Sequence, residues 1–183
     1  MPDPAIVIPL LLAALVALAI VLFVRRASGA LRETRQVERF QAESAALGMR
    51  LDVLLAATIS RVDAVRRHEL PPADAVPDLE SAIAQLDAAL GDAEALDPPD
   101  GFASSRHGVI AEIRHAQRAL DMVLHGCDVI SGPRARSRYP ESQISVKRGY
   151  LNLLHAREAL ARHAADLAAA RDAAQSAWRT SRI

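Results

Sequence analysis

Residues 5–24 read AIVIPLLLAALVALAIVLFV, twenty residues without a charged side chain, and Arg25-Arg26 follows at once. At about 1.5 Å rise per residue, a helix of this length spans about 30 Å, the thickness of a bilayer's hydrocarbon core. A secretory signal has a basic leader, a shorter apolar stretch of about 7–15 residues and a small-residue cleavage site. Here Met1-Pro2-Asp3-Pro4 supplies an acid and the run is too long, so the sequence predicts a retained transmembrane helix. Pro9 falls in its first turn, where the missing N–H had no intrahelical partner to lose. The only cysteine, Cys127, lies far from the run, which argues against lipoprotein processing.

Orientation follows from the flanking charges. No Lys or Arg precedes the run, whereas Arg25, Arg26, Arg32, Arg35 and Arg39 follow it against Glu33 and Glu38. Basic residues are retained on the cytoplasmic side, so the expectation is an inner-membrane protein with its N-terminus outside and its C-terminal domain in the cytoplasm. A single thiol forms no intramolecular disulfide, in keeping with a reducing compartment. Of the 22 basic residues only Lys147 is lysine, and alanine is abundant, a pattern that points to a GC-rich bacterial genome.

Aromatics make up 3% of the chain, so a core has to be built from Leu, Ile, Val and Ala, which favours close helix packing over sheets. Four amphipathic segments are legible. The first carries Val37, Phe40, Ser44, Leu47, Leu51, Leu54 and Thr58 in steps of three and four, widened by Leu55, Ile59, Val62 and Val65, and is predicted to run to about Glu69, before Pro71-Pro72. The second, about 78–96, carries Leu79, Ile83, Leu86 and Leu90 and ends at Pro98-Pro99 and Gly101. The third repeats Phe102, Arg106, Val109, Ile113, Ala116, Leu120, Val123, Cys127 and Ile130 up to Ser131-Gly132-Pro133. Pro140 is read as opening the fourth, whose apolar positions are Val146, Tyr150, Leu153, Leu154, Leu160, Ala164 and Leu167.

The expected fold is all-α: a single N-terminal transmembrane helix followed by an up-down-up-down four-helix bundle with a long juxtamembrane helix. Its parts are a tail (1–4), the span (5–24), a helical stalk (25–46), the bundle (47–178) and a basic tail (179–183). In that order the last helix returns toward the bilayer. Arg25, Arg26, Trp178, Arg179 and Arg182 are then the candidate membrane-interface residues.

Net charge is zero, but it is segregated. From Leu70 to Ser105 there are eight acids and no base; from Arg106 onward thirteen bases outnumber seven acids. Lateral pairing of the acidic segment with its basic neighbours accounts for this, and an acidic face recruiting a basic partner is the functional alternative. Residues 132–139 concentrate Arg134, Arg136 and Arg138 in one loop, joined by Lys147 and Arg148 on the next turns. A merely solvated loop accounts for them; as the candidate partner-binding residues, these five could hold phosphate, an anionic lipid or an acidic protein segment. With only Tyr139 and Tyr150 nearby for base stacking, the pattern argues against nucleic acid.

Glu112-Ile-Arg-His115 matches the Glu-x-x-His signature of ferritin-like di-metal bundles, but helix four offers only the reversed His155-Ala-Arg-Glu158. Both histidines fall off their apolar stripes, and Cys127 falls on one. There is no glycine-rich phosphate loop, and no nucleophile with a base to activate it. The sequence therefore implies no enzyme, no metal and no cofactor. The leading expectation is a noncatalytic single-pass membrane protein whose helical domain is an interaction or assembly module, with another protein or a second copy as partner. Its alternatives are a membrane-anchored sensory or ligand-binding bundle and a ferritin-like oxidoreductase. Gly48, Gly108, Gly126 and Gly149 interrupt helical patterns, as expected either for close helix crossings or for drift on exposed faces.

Overall fold

The computed structural model describes the backbone of residues 4–131 and 135–180, and the side chains of Leu18, 35–131, 137–170, 172, 173 and 176. Four helices follow one another: α1 (Pro4–Arg66), α2 (Pro72–Ala95), α3 (Ala103–Ser131) and α4 (Ala135–Thr180). No strand occurs among the described residues. The chain divides into two compact units, Met1–Arg39 and Phe40–Ile183. Among the described residues no helix is long and apolar enough to cross a membrane. The expected span at 5–24 falls on side chains outside the described residues, apart from Leu18, which is 58% exposed.

Within the second unit the apolar stripes meet. Leu51, Leu55 and Val62 of α1, Leu79 and Leu86 of α2, Ile113, Leu120 and Val123 of α3, and Leu153 of α4 are all buried in one core. Each such side chain contributes about 1.5–3 kcal/mol relative to leaving it exposed. The core reaches Phe40, whose ring lies 5.8 Å from that of Phe102 at the start of α3.

Side-chain bridges fix the direction of each neighbouring pair. Arg50 pairs with Asp92 and Arg61 with Asp78, so α2 descends as α1 rises. Arg114–Glu94 and Gln117–Asp87 do the same for α2 and α3. Between α3 and α4, Gly126 lies against Ser142 and Val146 while Gly108 lies against His163. Arg157–Asp52 and the Tyr139–His68 ring stack close the circuit from α4 back to α1.

The helix ends differ from the sequence reading in three places, each for a local reason. First, α1 stops at Arg66, and the chain turns through His68 at φ 62°, a left-handed conformation. Its N–H bonds the Val65 carbonyl (3.1 Å) and the Glu69 N–H bonds the Ala64 carbonyl (2.9 Å). This is a Schellman ending with histidine where glycine is usual. Second, α2 begins at Pro72, not near Asp78, with Pro72 in the N1 position, where proline fits. Pro77 then sits in the second turn, where it removes a single terminal hydrogen bond. Third, Pro140 does not open α4, because the helix begins at Ala135 and carries Pro140 inside its second turn. There the Ser142 hydroxyl, fully buried, donates to the Tyr139 carbonyl at 3.1 Å. Between α2 and α3, Gly101 at φ 89° occupies the turn position that requires a positive φ, closed by the Phe102 N–H to Pro99 carbonyl bond of 3.0 Å.

Candidate functional site

The expected arginine loop is mostly helix. Arg138 stands in the first turn of α4 and donates twice to Glu141, both bonds 2.9 Å. This pairing holds the Glu141 carboxyl below its ordinary value, and the neighbouring positive potential of His125 adds to the effect. Arg138 is thus engaged within its own helix. Lys147 and Arg148 are exposed two turns on, and neither makes an ion pair among the described residues. Arg134 lies outside the described residues, as does the side chain of Arg136. The membrane-interface candidates Arg25, Arg26, Trp178 and Arg179 have side chains outside the described residues, and Arg182 lies wholly outside them.

This end of the bundle is organised by α1 and α4 together. The His68 and Tyr139 rings stack with centroids 6.4 Å apart, and Gln143 reaches the His68 Nε2 at 3.5 Å. Further along α4 the Arg66 guanidinium lies over the Tyr150 ring at 5.2 Å, a cation–π contact. The Arg66 and Arg67 side chains both bond Asp63. Its surface is therefore a network of satisfied polar groups edged by exposed Lys147 and Arg148.

The acids of α2 are used laterally. Asp78, Asp92 and Glu94 pair with Arg61, Arg50 and Arg114, and Asp87 accepts from Gln117 at 2.6 Å. Exposed pairs of this kind contribute at most about 1 kcal/mol each, so they set register more than stability. Glu80, by contrast, points outward.

The residues weighed for metal or nucleophile chemistry lie apart. Glu112 and His115 touch each other at 3.5 Å on the flank of α3, while His155 and Glu158 are exposed on α4. Among the described residues no three His, Cys, Asp or Glu side chains converge. Cys127 is fully buried, and desolvation, with Asp128 nearby, pushes its thiol up to about 11. A thiol so disposed is protonated at neutral pH and a poor nucleophile.

Two features escaped the sequence reading. Open grooves of about 340 and 510 Å³ run between α1 and α2, the larger lined by Leu54, Ala57, Arg61, Asp78, Ser81 and Gln85. Beside them, Met49 and Val53 of α1 are 67% and 70% exposed. The signal lay in where the charges of α1 fall on the helical wheel, not in where its apolar residues fall. No protein-family model, no curated protein and no solved structure matches the chain.

Proposed function

We propose that this chain is a noncatalytic, single-pass membrane protein whose up-down-up-down four-helix bundle is an interaction or assembly module. The observation that carries the reading is the uncharged run at 5–24 with its one-sided arginines. On this reading the protein lies in the inner membrane, N-terminus outside, with the bundle in the cytoplasm. The bundle supports an interaction role, because its polar side chains hold neighbouring helices in register while its outer faces carry exposed residues that no neighbouring helix covers. The basic residues from Arg134 to Arg148 are the contacts offered to an acidic protein segment. Lys147 and Arg148 are the more available of these, because Arg138 is bound to Glu141.

The test is topology together with retention. A thiol introduced by Ser104→Cys, at an exposed position, should react with a membrane-impermeant maleimide only after cells are permeabilised. The native Cys127 is buried and stays silent. Labelling of sealed cells overturns the orientation, and release of the chain by carbonate washing overturns the anchor.

A further inference from the structure

The outward faces of the helices are not alike. Outward positions of α3 include His107, Arg114, Arg118, Asp121, His125 and Asp128, and those of α4 include Lys147, His155, Glu158 and Arg162. On α1 the outward stripe is Ala42, Ala46, Met49, Val53, Ala57 and Ser60, all exposed and none charged. The charged side chains of this stretch lie to either side and are engaged: Arg50 with Asp92, Asp52 with Arg157, Arg61 with Asp78, and Glu43 also in an interaction of its own. Next to it, the outward stripe of α2 is Ala84, Ala88, Gly91 and Ala95, again exposed and uncharged. One side of the bundle is therefore a two-helix surface of small and apolar side chains, crossed by the Arg50–Asp92 and Arg61–Asp78 pairs and bordered by exposed Glu80, one turn before Ala84.

We infer that this α1–α2 face is where a second copy of the chain docks, through a two-fold axis parallel to the helices. This deepens, and rests on, the reading of the bundle as a membrane-tethered assembly module. Three observations select that occupant. The first is relief. Met49 and Val53 are the largest exposed apolar side chains on the face, while α2 has only alanine and glycine there. The second is level. The bridges Arg50–Asp92 and Arg61–Asp78 set Val53 at the height of about Ala88, with Met49 just beyond Gly91. A two-fold axis along the helices keeps heights unchanged and sets α1 of one copy against α2 of the other. The projecting Met49 and Val53 of each copy then enter the hollow at Ala88 and Gly91 of its mate, and the same contact is made twice, as an isologous interface requires. The third is size. On α1 the face runs about 27 Å, from Ala42 to Ser60, and on α2 about 17 Å, from Ala84 to Ala95, each about 10 Å wide. Two such faces bury on the order of 900 Å², the size of a weak association, which suits chains held together in one bilayer. Anchoring both copies in one bilayer also brings them in from the same side.

The test uses the full chain in its native membranes. Two differently tagged versions are coexpressed, one carrying Val53→Cys and the other Ala88→Cys, and treated with a short bis-maleimide. A crosslinked species bearing both tags is expected, whereas Leu151→Cys, on the exposed face of α4, should give none with either version. Adding Val53→Glu to chains crosslinked at Met49→Cys and Gly91→Cys should lower the crosslinked fraction by more than about tenfold, because a carboxylate would be buried without a partner. The same step at Ile144→Glu, also exposed, should leave it unchanged. An unchanged unfolding midpoint for both glutamate variants excludes misfolding as the cause. Membrane-bound chains that fail to crosslink, or that crosslink equally through Leu151, overturn the interface and leave the anchor standing. Chains that crosslink as expected but wash off the membrane overturn the anchor and leave the interface standing.

Discussion

Between α3 and α4 the backbones approach so closely that a methyl group on Gly149 would come within 2.7 Å of the Ala119 carbonyl oxygen, and one on Gly126 within 3.1 Å of that of Ser142. Between α1 and α2 the helices stand over open grooves, bridged by Arg50–Asp92 and Arg61–Asp78. The first seam is held by fit at the level of single methyl groups. The second is held by long side chains that tolerate small shifts. A bundle built in this way has one closely fitted half, α3–α4, and one half whose helices stand over open grooves.

The largest expected effect tests whether the two halves are packed differently at all. Leu120→Ala removes a fully buried side chain of α3 and should cost about 2–5 kcal/mol, the range for cavities that cannot collapse. Leu54→Ala makes the same deletion beside the larger α1–α2 groove, where the side chain is only half-buried, and should cost about 1–2 kcal/mol. Denaturant midpoints of the full chain in detergent measure both. Equal costs would remove the distinction between the seams.

The glycines sharpen it, because the same substitution should change sign across the molecule. Gly149→Ala forces a methyl group into the Val123 side chain and the Ala119 carbonyl, and overpacking of this kind costs about 1–3 kcal/mol. Gly91→Ala and Gly48→Ala meet nothing within 4 Å and should each stabilise the helix by about 0.5–1 kcal/mol. Gly108→Ala sits between these, since only the end of the His163 ring opposes it. Thermal unfolding of the four variants should rank them in that order, and a stabilising Gly149→Ala would show that α3 and α4 are not in backbone contact.

The same contrast explains what could be read in advance. Steps of three and four placed Leu47, Leu51, Leu86, Ile113, Leu120 and Leu153 in the core, because burial imprints a period on the chain. Charge segregation pointed to lateral pairing of the acidic segment, and Asp78, Asp92 and Glu94 pair in that way. Glycine spacing could not separate Gly149 from Gly48, since both interrupt a helix and only the neighbouring backbone distinguishes a crossing from an open face. Two helix starts were read too late, at about Asp78 and at Pro140, because Pro77 and Pro140 each lie inside the second turn of a helix that begins at Pro72 or Ala135. The uncharged face of α1 was hidden because alanine reads as filler in any helix. It emerges once Arg50, Asp52 and Arg61 are seen to turn toward α2 and α4.

The smallest effect concerns the bridges themselves, where α1 meets α4. Asp52 accepts from Arg157 at 2.7 Å, and that hydrogen bond, more than the charge alone, holds the Asp52 carboxyl below its ordinary 3.8. A carboxyl lowered on folding contributes stability that is complete above its unfolded value and is lost as pH falls through its folded value. Both side chains are well exposed, so the contribution is screened and should be about 0.2–1 kcal/mol. Asp52→Asn should therefore lower stability by that amount at pH 7, and the difference from wild type should hold to about pH 5 and shrink below the ordinary aspartate value. High salt should shrink it as well. A deficit of several kcal/mol, or one that grows as the pH falls, would mean that the α1–α4 seam depends on this pair as the α3–α4 seam depends on Gly149, and that bridged and fitted seams are not two kinds of joint.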